Sequence, residues 1–156
     1  AIITGRGPDL LSNIDNAKPY LQDENVIHIG QRDMEETRKY NSQDIQSTGI
    51  KCFDLPRLQR LGLAHTIVEI KDYASKIKAD GFWIHFDADV IDDGQNPAVD
   101  YRLPGGLSFE ECEAILKSLI QEYPTVGMSL TIFNPNLDKG NQVAKQIVSL
   151  ISTVFT

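Results

Sequence analysis

Phe82-Trp83-Ile84-His85-Phe86-Asp87-Ala88-Asp89 is the stretch from which the rest of the chain is read. Aromatic and β-branched residues dominate its first half, the composition of a strand. It is the most apolar of the strand candidates, so it is expected at the centre of a sheet with both faces covered. Gly81, just before it, is expected to close the preceding helical region as a C-cap. In an extended chain residues two apart point the same way, so Asp87 and Asp89 are expected to project together with His85 one step behind. Two crowded carboxylates repel unless a cation lies between them, and all-oxygen ligation suits Mg2+, Mn2+ or Ca2+ better than zinc or copper. The position also fits, because open α/β sheets bind ligands at the carboxyl ends of their strands. The plain structural alternative is that aspartate often ends strands because it turns and caps well, with Asp92 and Asp93 belonging to a solvated loop. Asp92-Asp93-Gly94 lacks the spacing and terminal glutamate of an EF-hand loop.

Outward from this segment, short β-rich runs alternate with helical patterns, which implies βα units and a mainly parallel sheet. Strands are expected over residues 1–4, 25–30, 50–54, 82–87 and 125–133. Pro8 is placed to open a short helix near residues 9–13. Leu58, Leu61, Leu63, Ile67, Ile70, Tyr73, Ala74 and Ile77 recur at roughly helical spacing, with Gly62 dividing the region in two. Ser108 and Glu111 form the sequence pattern of a capping box, opening a helix through about residue 123. Residues 141–155 read as a final amphipathic helix. The loop over residues 90–107 is long, and long loops are often functional. No linker, repeat or low-complexity segment divides the chain, so residues 1–156 are read as a single domain.

Bulk properties narrow the function classes. The 156 residues are 41% hydrophobic and 24% charged, the balance of a globular domain rather than a disordered one. A net charge of −7, from 22 acidic against 15 basic residues, argues against nucleic acid or an anionic membrane as partner. No run approaches the roughly 18 apolar residues of a membrane span, and nothing reads as a secretory signal, so a cytoplasmic protein is expected. Cys52 and Cys112 lie far apart in apolar segments, without a CxxC neighbour, and are expected as two buried thiols. Of the histidines, His28 is expected to be packed in mid-strand and His65 to be exposed or partly buried. Gly5-Arg6-Gly7-Pro8 is a poor phosphate loop, since it lacks a third glycine and Pro8 has no N–H to offer.

Several motifs, in order along the chain, resemble the arginase, agmatinase and formiminoglutamase (ureohydrolase) family. Asn25-Val26-Ile27-His28-Ile29-Gly30-Gln31-Arg32-Asp33 looks like that family's strand and loop ending in G-x-R-D. Gly49-Ile50-Lys51-Cys52-Phe53, followed by Leu61-Gly62, is similar to the next strand and helix start. Ile84-His85-Phe86-Asp87-Ala88-Asp89 resembles the signature S-F/I-D-x-D, and Leu103-Pro104-Gly105-Gly106-Leu107-Ser108 its downstream P-x-G-G-L/M-[ST]. Phe133-Asn134-Pro135 matches the V-N-P that closes the last strand. The resemblance implies a three-layer α/β/α fold, here its C-terminal portion, and a binuclear manganese site. There a metal-bridging hydroxide attacks the carbon of a guanidino or amidine substrate and cleaves a C–N bond. By position, Asp87 would bridge the two metals and Asp89 would bind one of them. Glu35 falls where relatives place an acidic contact to the substrate's amino group; otherwise Glu35 and Glu36 are the exposed first turn of a helix.

The sequence departs from the family in two respects. The other metal ligands of the family come from an earlier G-G-D-H motif and a D-A-H-x-D motif, and neither is present. His85 stands where the family usually has Ser, a position behind the ligands rather than among them. The second departure is Ile132, where arginases carry an acidic residue for the guanidinium. An aliphatic side chain cannot pair with a buried cation, which argues against arginine as substrate. The chain also opens on the apolar run Ala1-Ile2-Ile3, as if inside a strand, so an upstream segment is expected. As it stands the chain is expected to be inactive, and the alternative is a non-catalytic binding or assembly module on the same fold. An incomplete sheet leaves an unpaired edge and apolar surface, so a homo-oligomer or a self-associating chain is expected.

Overall fold

The computed structural model describes residues 1–156, which divide into two compact units, Ala1–Asp54 and Leu55–Thr156. Each unit carries one parallel strand pair, so the mixed helices and parallel strands of an α/β protein are present as expected.

In the first unit β1 (Ile27–Ile29) pairs with β2 (Lys51–Phe53), His28 opposite Cys52 and Ile29 opposite Phe53. Both strands are shorter than the sequence pattern suggests, and at β1 residues 23–25 are drawn into a 3-10 turn before the strand begins. The strand expected over residues 1–4 is instead a 3-10 turn, Ile2–Thr4. Its backbone bonds close locally, Gly5 N–H to Ile2 O at 3.0 Å, with Gly5 left-handed at φ 79°. An apolar run forms a strand only where another strand takes its hydrogen bonds, and here none does. Pro8 does cap a short helix, α1 (Asp9–Ser12), and α2 (Met34–Lys39) follows the Gln31-Arg32-Asp33 loop. His28 is exposed rather than packed, since period-two alternation gives the half-buried face of β1 to Ile27 and Ile29. Arg6 ties the unit across its loops: it grips the carboxylate of Asp23 with both terminal nitrogens, and Gly49 N–H donates to Asp23 Oδ2 at 3.1 Å.

The second unit opens with α3 (Leu55–Leu61) and α4 (Leu63–Ala74), separated at Gly62 as its φ of 81° requires. Here α4 stops at Ala74, so Gly81 is not its C-cap. The reason for glycine there is close approach: a Cβ on Gly81 would overlap Val126 and lie 3.0 Å from Pro124 O. Next, β3 (Phe82–Asp87) pairs in parallel with β4 (Thr125–Thr131), and no strand of this chain pairs with its other edge.

Between β3 and β4 runs α5 (Phe109–Ile120), and α6 (Gln142–Val154) follows β4. Both elements of the Ser108 capping box are formed, Glu111 N–H to Ser108 Oγ at 3.1 Å and Ser108 N–H to Glu111 Oε2 at 2.8 Å. Cys112, Ile115 and Leu116 of α5 and Val143, Ile147, Leu150 and Val154 of α6 are buried, and the two helices pack together. This is the amphipathic spacing read from the sequence, turned inward. Both cysteines are buried thiols outside any disulfide, and burial, helped by Glu111 and Glu110, pushes Cys112 up to about 12.

Candidate metal centre

Asp87 is the last residue of β3, and the chain then turns through a 3-10 turn, Ala88–Val90. Asp89 therefore lies in the turn and not in continued strand, so the alternation argument does not apply to it. The cause is visible at Ala88, which is fully buried and whose carbonyl accepts from Asn96 Nδ2 at 2.7 Å. Asn96 is itself 1% exposed, and its Oδ1 accepts from Ala98 N–H at 3.2 Å. One buried carboxamide thus satisfies backbone groups at Ala88 and at Ala98, a requirement for burying them at all. The two carboxylates still share the carboxyl end of β3, both half-buried.

The loop that follows folds back on itself in an ordered way. Asp92 N–H donates to Leu107 O at 2.7 Å and Leu107 N–H to Val90 O at 2.9 Å, a short parallel bridge between Ile91 and Leu107. Gly106 makes this possible. Its φ is 136°, and a Cβ there would sit 2.6 Å from Asp92 Cα. The P-x-G-G segment is therefore where the chain presses against the turn after the D-x-D. Arg102 grips Asp93 through Nε at 2.6 Å and Nη2 at 2.9 Å, so Asp93 is engaged in an ion pair at the loop's rim. The far side is closed by an antiparallel bridge between Val99 and Phe133 and by Asn134 N–H to Ala98 O at 2.8 Å. Asn134 Nδ2 adds a bond to Asp100 Oδ1 at 2.7 Å.

Asp87 also has a partner that sequence reasoning missed. Thr131 Oγ1 donates to Asp87 Oδ1 at 2.6 Å, and its neighbour Ser129 lies 2.8 Å from His85 Nδ1. The parallel register sets His85 opposite Ser129 and Asp87 opposite Thr131. Alternation along residues 125–133 was the available signal, since Ser129 and Thr131 share a face there.

Glu35 belongs to the first unit, exposed in the opening turn of α2. His65 is exposed on α4, 3.6 Å from Glu69. Ile132 follows Thr131 with φ 69°, a left-handed backbone rarely adopted by a β-branched residue, and is 46% exposed.

Two carboxylates offer hard oxygen donors, and the donor chemistry fits a hard divalent cation. No third His, Cys, Asp or Glu joins them closely enough to make a three-ligand cluster. Asp87 and Asp89 thus have the donor chemistry that such an ion takes, with too few donors between them to enclose it.

The model of the arginase family matches residues 13–156. An arginase from Staphylococcus aureus is 32% identical over 154 residues, covering 99% of this chain and 49% of its own length. An arginase from Bacillus subtilis is 30% identical over 156 residues, covering 99% of this chain and 51% of its own. In structure, the arginase of Bacillus caldovelox matches with a TM-score of 0.87 at 28% identity, over 99% of this chain and 50% of the other. The chain thus spans about half the length of the curated relatives it matches.

Proposed function

Since the chain belongs to the arginase family, we propose that it supplies one wall of the metal centre of a hydrolase that cleaves a C–N bond in a guanidino or amidine compound. The observation that supports this is the placement of Asp87 at the carboxyl end of β3 and of Asp89 in the turn after it, next to the ordered loop that Gly106 closes. Asp87 would bridge two manganese ions and Asp89 would bind one of them. Manganese so held supplies Lewis acidity, lowering the pKa of water and stabilising the charge that develops on attack.

The protein's own share is to hold both carboxylates in place. Thr131 fixes one oxygen of Asp87. Asn96 fixes the turn that carries Asp89 by bonding the backbone beneath it. Glu35 would contact the substrate's amino group. Ile132 offers no charge to a guanidinium, which argues against arginine as the substrate.

A second reading is favoured by the two-carboxylate donor set alone: a non-catalytic module that keeps the fold and holds at most one ion weakly. Manganese titration separates the two, with a tight two-ion isotherm for this chain excluding the module. The hydrolase reading is tested on the whole gene product with Mn2+ and a panel of guanidino and amidine compounds, following release of urea or amide. Release that Asp87→Ala abolishes is the expected result, and inactivity across the panel overturns the reading. Self-association is also proposed, from the exposure of Val126 and Leu130 on β4. Light scattering showing a stable monomer contradicts it.

A further inference from the structure

Trp83, His85 and Asp87 alternate along one face of β3, and the parallel register sets them beside Gly127, Ser129 and Thr131 of β4. Four contacts join them in single file. Trp83 Nε1 donates to Ser129 Oγ at 3.3 Å, and Ser129 Oγ lies 2.8 Å from His85 Nδ1. His85 Nε2 lies 3.4 Å from Thr131 Oγ1, a long contact, and Thr131 Oγ1 donates to Asp87 Oδ1 at 2.6 Å.

The contacts in this file admit a placement of protons in which every link is a hydrogen bond. An indole N–H can only donate and an ionised carboxylate can only accept. The single hydroxyl proton of Thr131 goes to Asp87, so the Thr131 oxygen accepts from His85 Nε2–H. In a neutral ring Nδ1 then has no proton and accepts from the Ser129 hydroxyl, and the Ser129 oxygen accepts from Trp83; an imidazolium would instead donate to both hydroxyl oxygens. Both ends are one-way, so a neutral ring bonded at both nitrogens gives the file one direction, with His85 as the Nε2–H tautomer. Gly127 belongs to the same device. A Cβ there would overlap the six-membered ring of Trp83, so glycine is what lets the indole lie across β4 to reach Ser129.

We propose that Thr131 is a positioning residue for Asp87, backed by His85 in its Nε2–H form. A carboxylate is free to rotate about its last bond, and the 2.6 Å bond pins Oδ1 and so fixes the plane in which Oδ2 is presented. Partners standing behind a metal ligand set its orientation and basicity in this way. The hydroxyl would otherwise turn to any nearby acceptor, and the Nε2–H of His85 occupies its lone pair and aims its proton at Asp87. The inference rests on the reading of Asp87 as a metal ligand, while the tautomer can be observed without metal.

Two measurements test it. Long-range proton–nitrogen spectra of the histidine rings should show His85 as Nε2–H, with the Nδ1–H form appearing in Thr131→Val. An Nδ1–H ring in the unsubstituted protein overturns the proposal. In the second, free Mn2+ is followed by electron paramagnetic resonance, with circular dichroism confirming that each variant is folded. Thr131→Val should weaken Mn2+ binding by about 10- to 100-fold, and Thr131→Ser should restore it. Equal affinity in Thr131→Val, alongside loss in Asp87→Ala, overturns the positioning role and leaves the metal reading standing. Affinity unchanged in Asp87→Ala, or no Mn2+ binding by the unsubstituted protein, defeats the metal reading and the positioning role with it.

Discussion

In the first unit the strands have three residues each and the longest helix, α2, has six; in the second, β4 has seven and α6 thirteen. Burial follows the same division. Of the buried apolar side chains only Cys52 and Phe53 lie in the first unit, and the rest belong to the second. Short elements bury little, so the first unit depends on turn chemistry and on polar ties such as Arg6 to Asp23. The second is held by interlocking apolar faces, chiefly those of α5 and α6. The candidate metal carboxylates stand on the second kind of support, and Glu35 on the first kind. A site needing sub-ångström placement is better served by a packed strand end than by a short helix after a loop.

The sharpest way to break this contrast is to damage the second unit where its loop is tightest. Gly106→Ala forces a Cβ into a backbone at φ 136° and against Asp92. Strain and overlap together should cost more than about 3 kcal/mol, seen as a lowered urea midpoint with unchanged slope. A loss under about 1 kcal/mol means that the loop after β3 is soft, and that its rigidity does not distinguish the units. Next in size is the cap of α5. Ser108→Ala removes the acceptor for Glu111 N–H and should cost about 1 kcal/mol in the same titration. No change would mean that α5 is held by packing alone.

The contrast also explains what was legible in the sequence. β3 agrees with its sequence reading residue for residue, and α5 and α6 to within a few residues, because their apolar periodicity is long and self-consistent. Residues 1–4 misled because four apolar-leaning residues do not say whether a partner strand exists. The D-x-D could be picked out of the sequence, but its geometry could not, since the burial of Ala88 and the reach of Asn96 turn the chain one residue after Asp87. Thr131 escaped notice for another reason. Strands far apart in sequence carry no local record of their register, so a hydroxyl on β4 could not be assigned to a carboxylate on β3.

The smallest effect concerns the tie of the first unit, and it should appear only in acid. Hydrogen bonding to the Arg6 guanidinium holds the Asp23 carboxyl below its ordinary value; the Gly49 N–H and the nearby positive charges assist, and burial opposes. A pKa lower in the folded unit than in the unfolded chain means that folding favours the ionised form. That contribution is complete above the unfolded aspartate value, about 3.9, and is lost as pH falls through the depressed folded value. Amide spectra recorded from neutral pH down to about pH 3 should therefore lose dispersion in residues 1–54 before residues 55–156. Asp23→Asn removes the charge that Arg6 pairs with, so the first unit should already be looser at neutral pH and respond less to acid. Simultaneous loss in both units, or an unchanged acid response in Asp23→Asn, would show that the first unit does not rest on this ion pair. Its order would then have to come from the short β1–β2 pairing and the buried Phe53 alone.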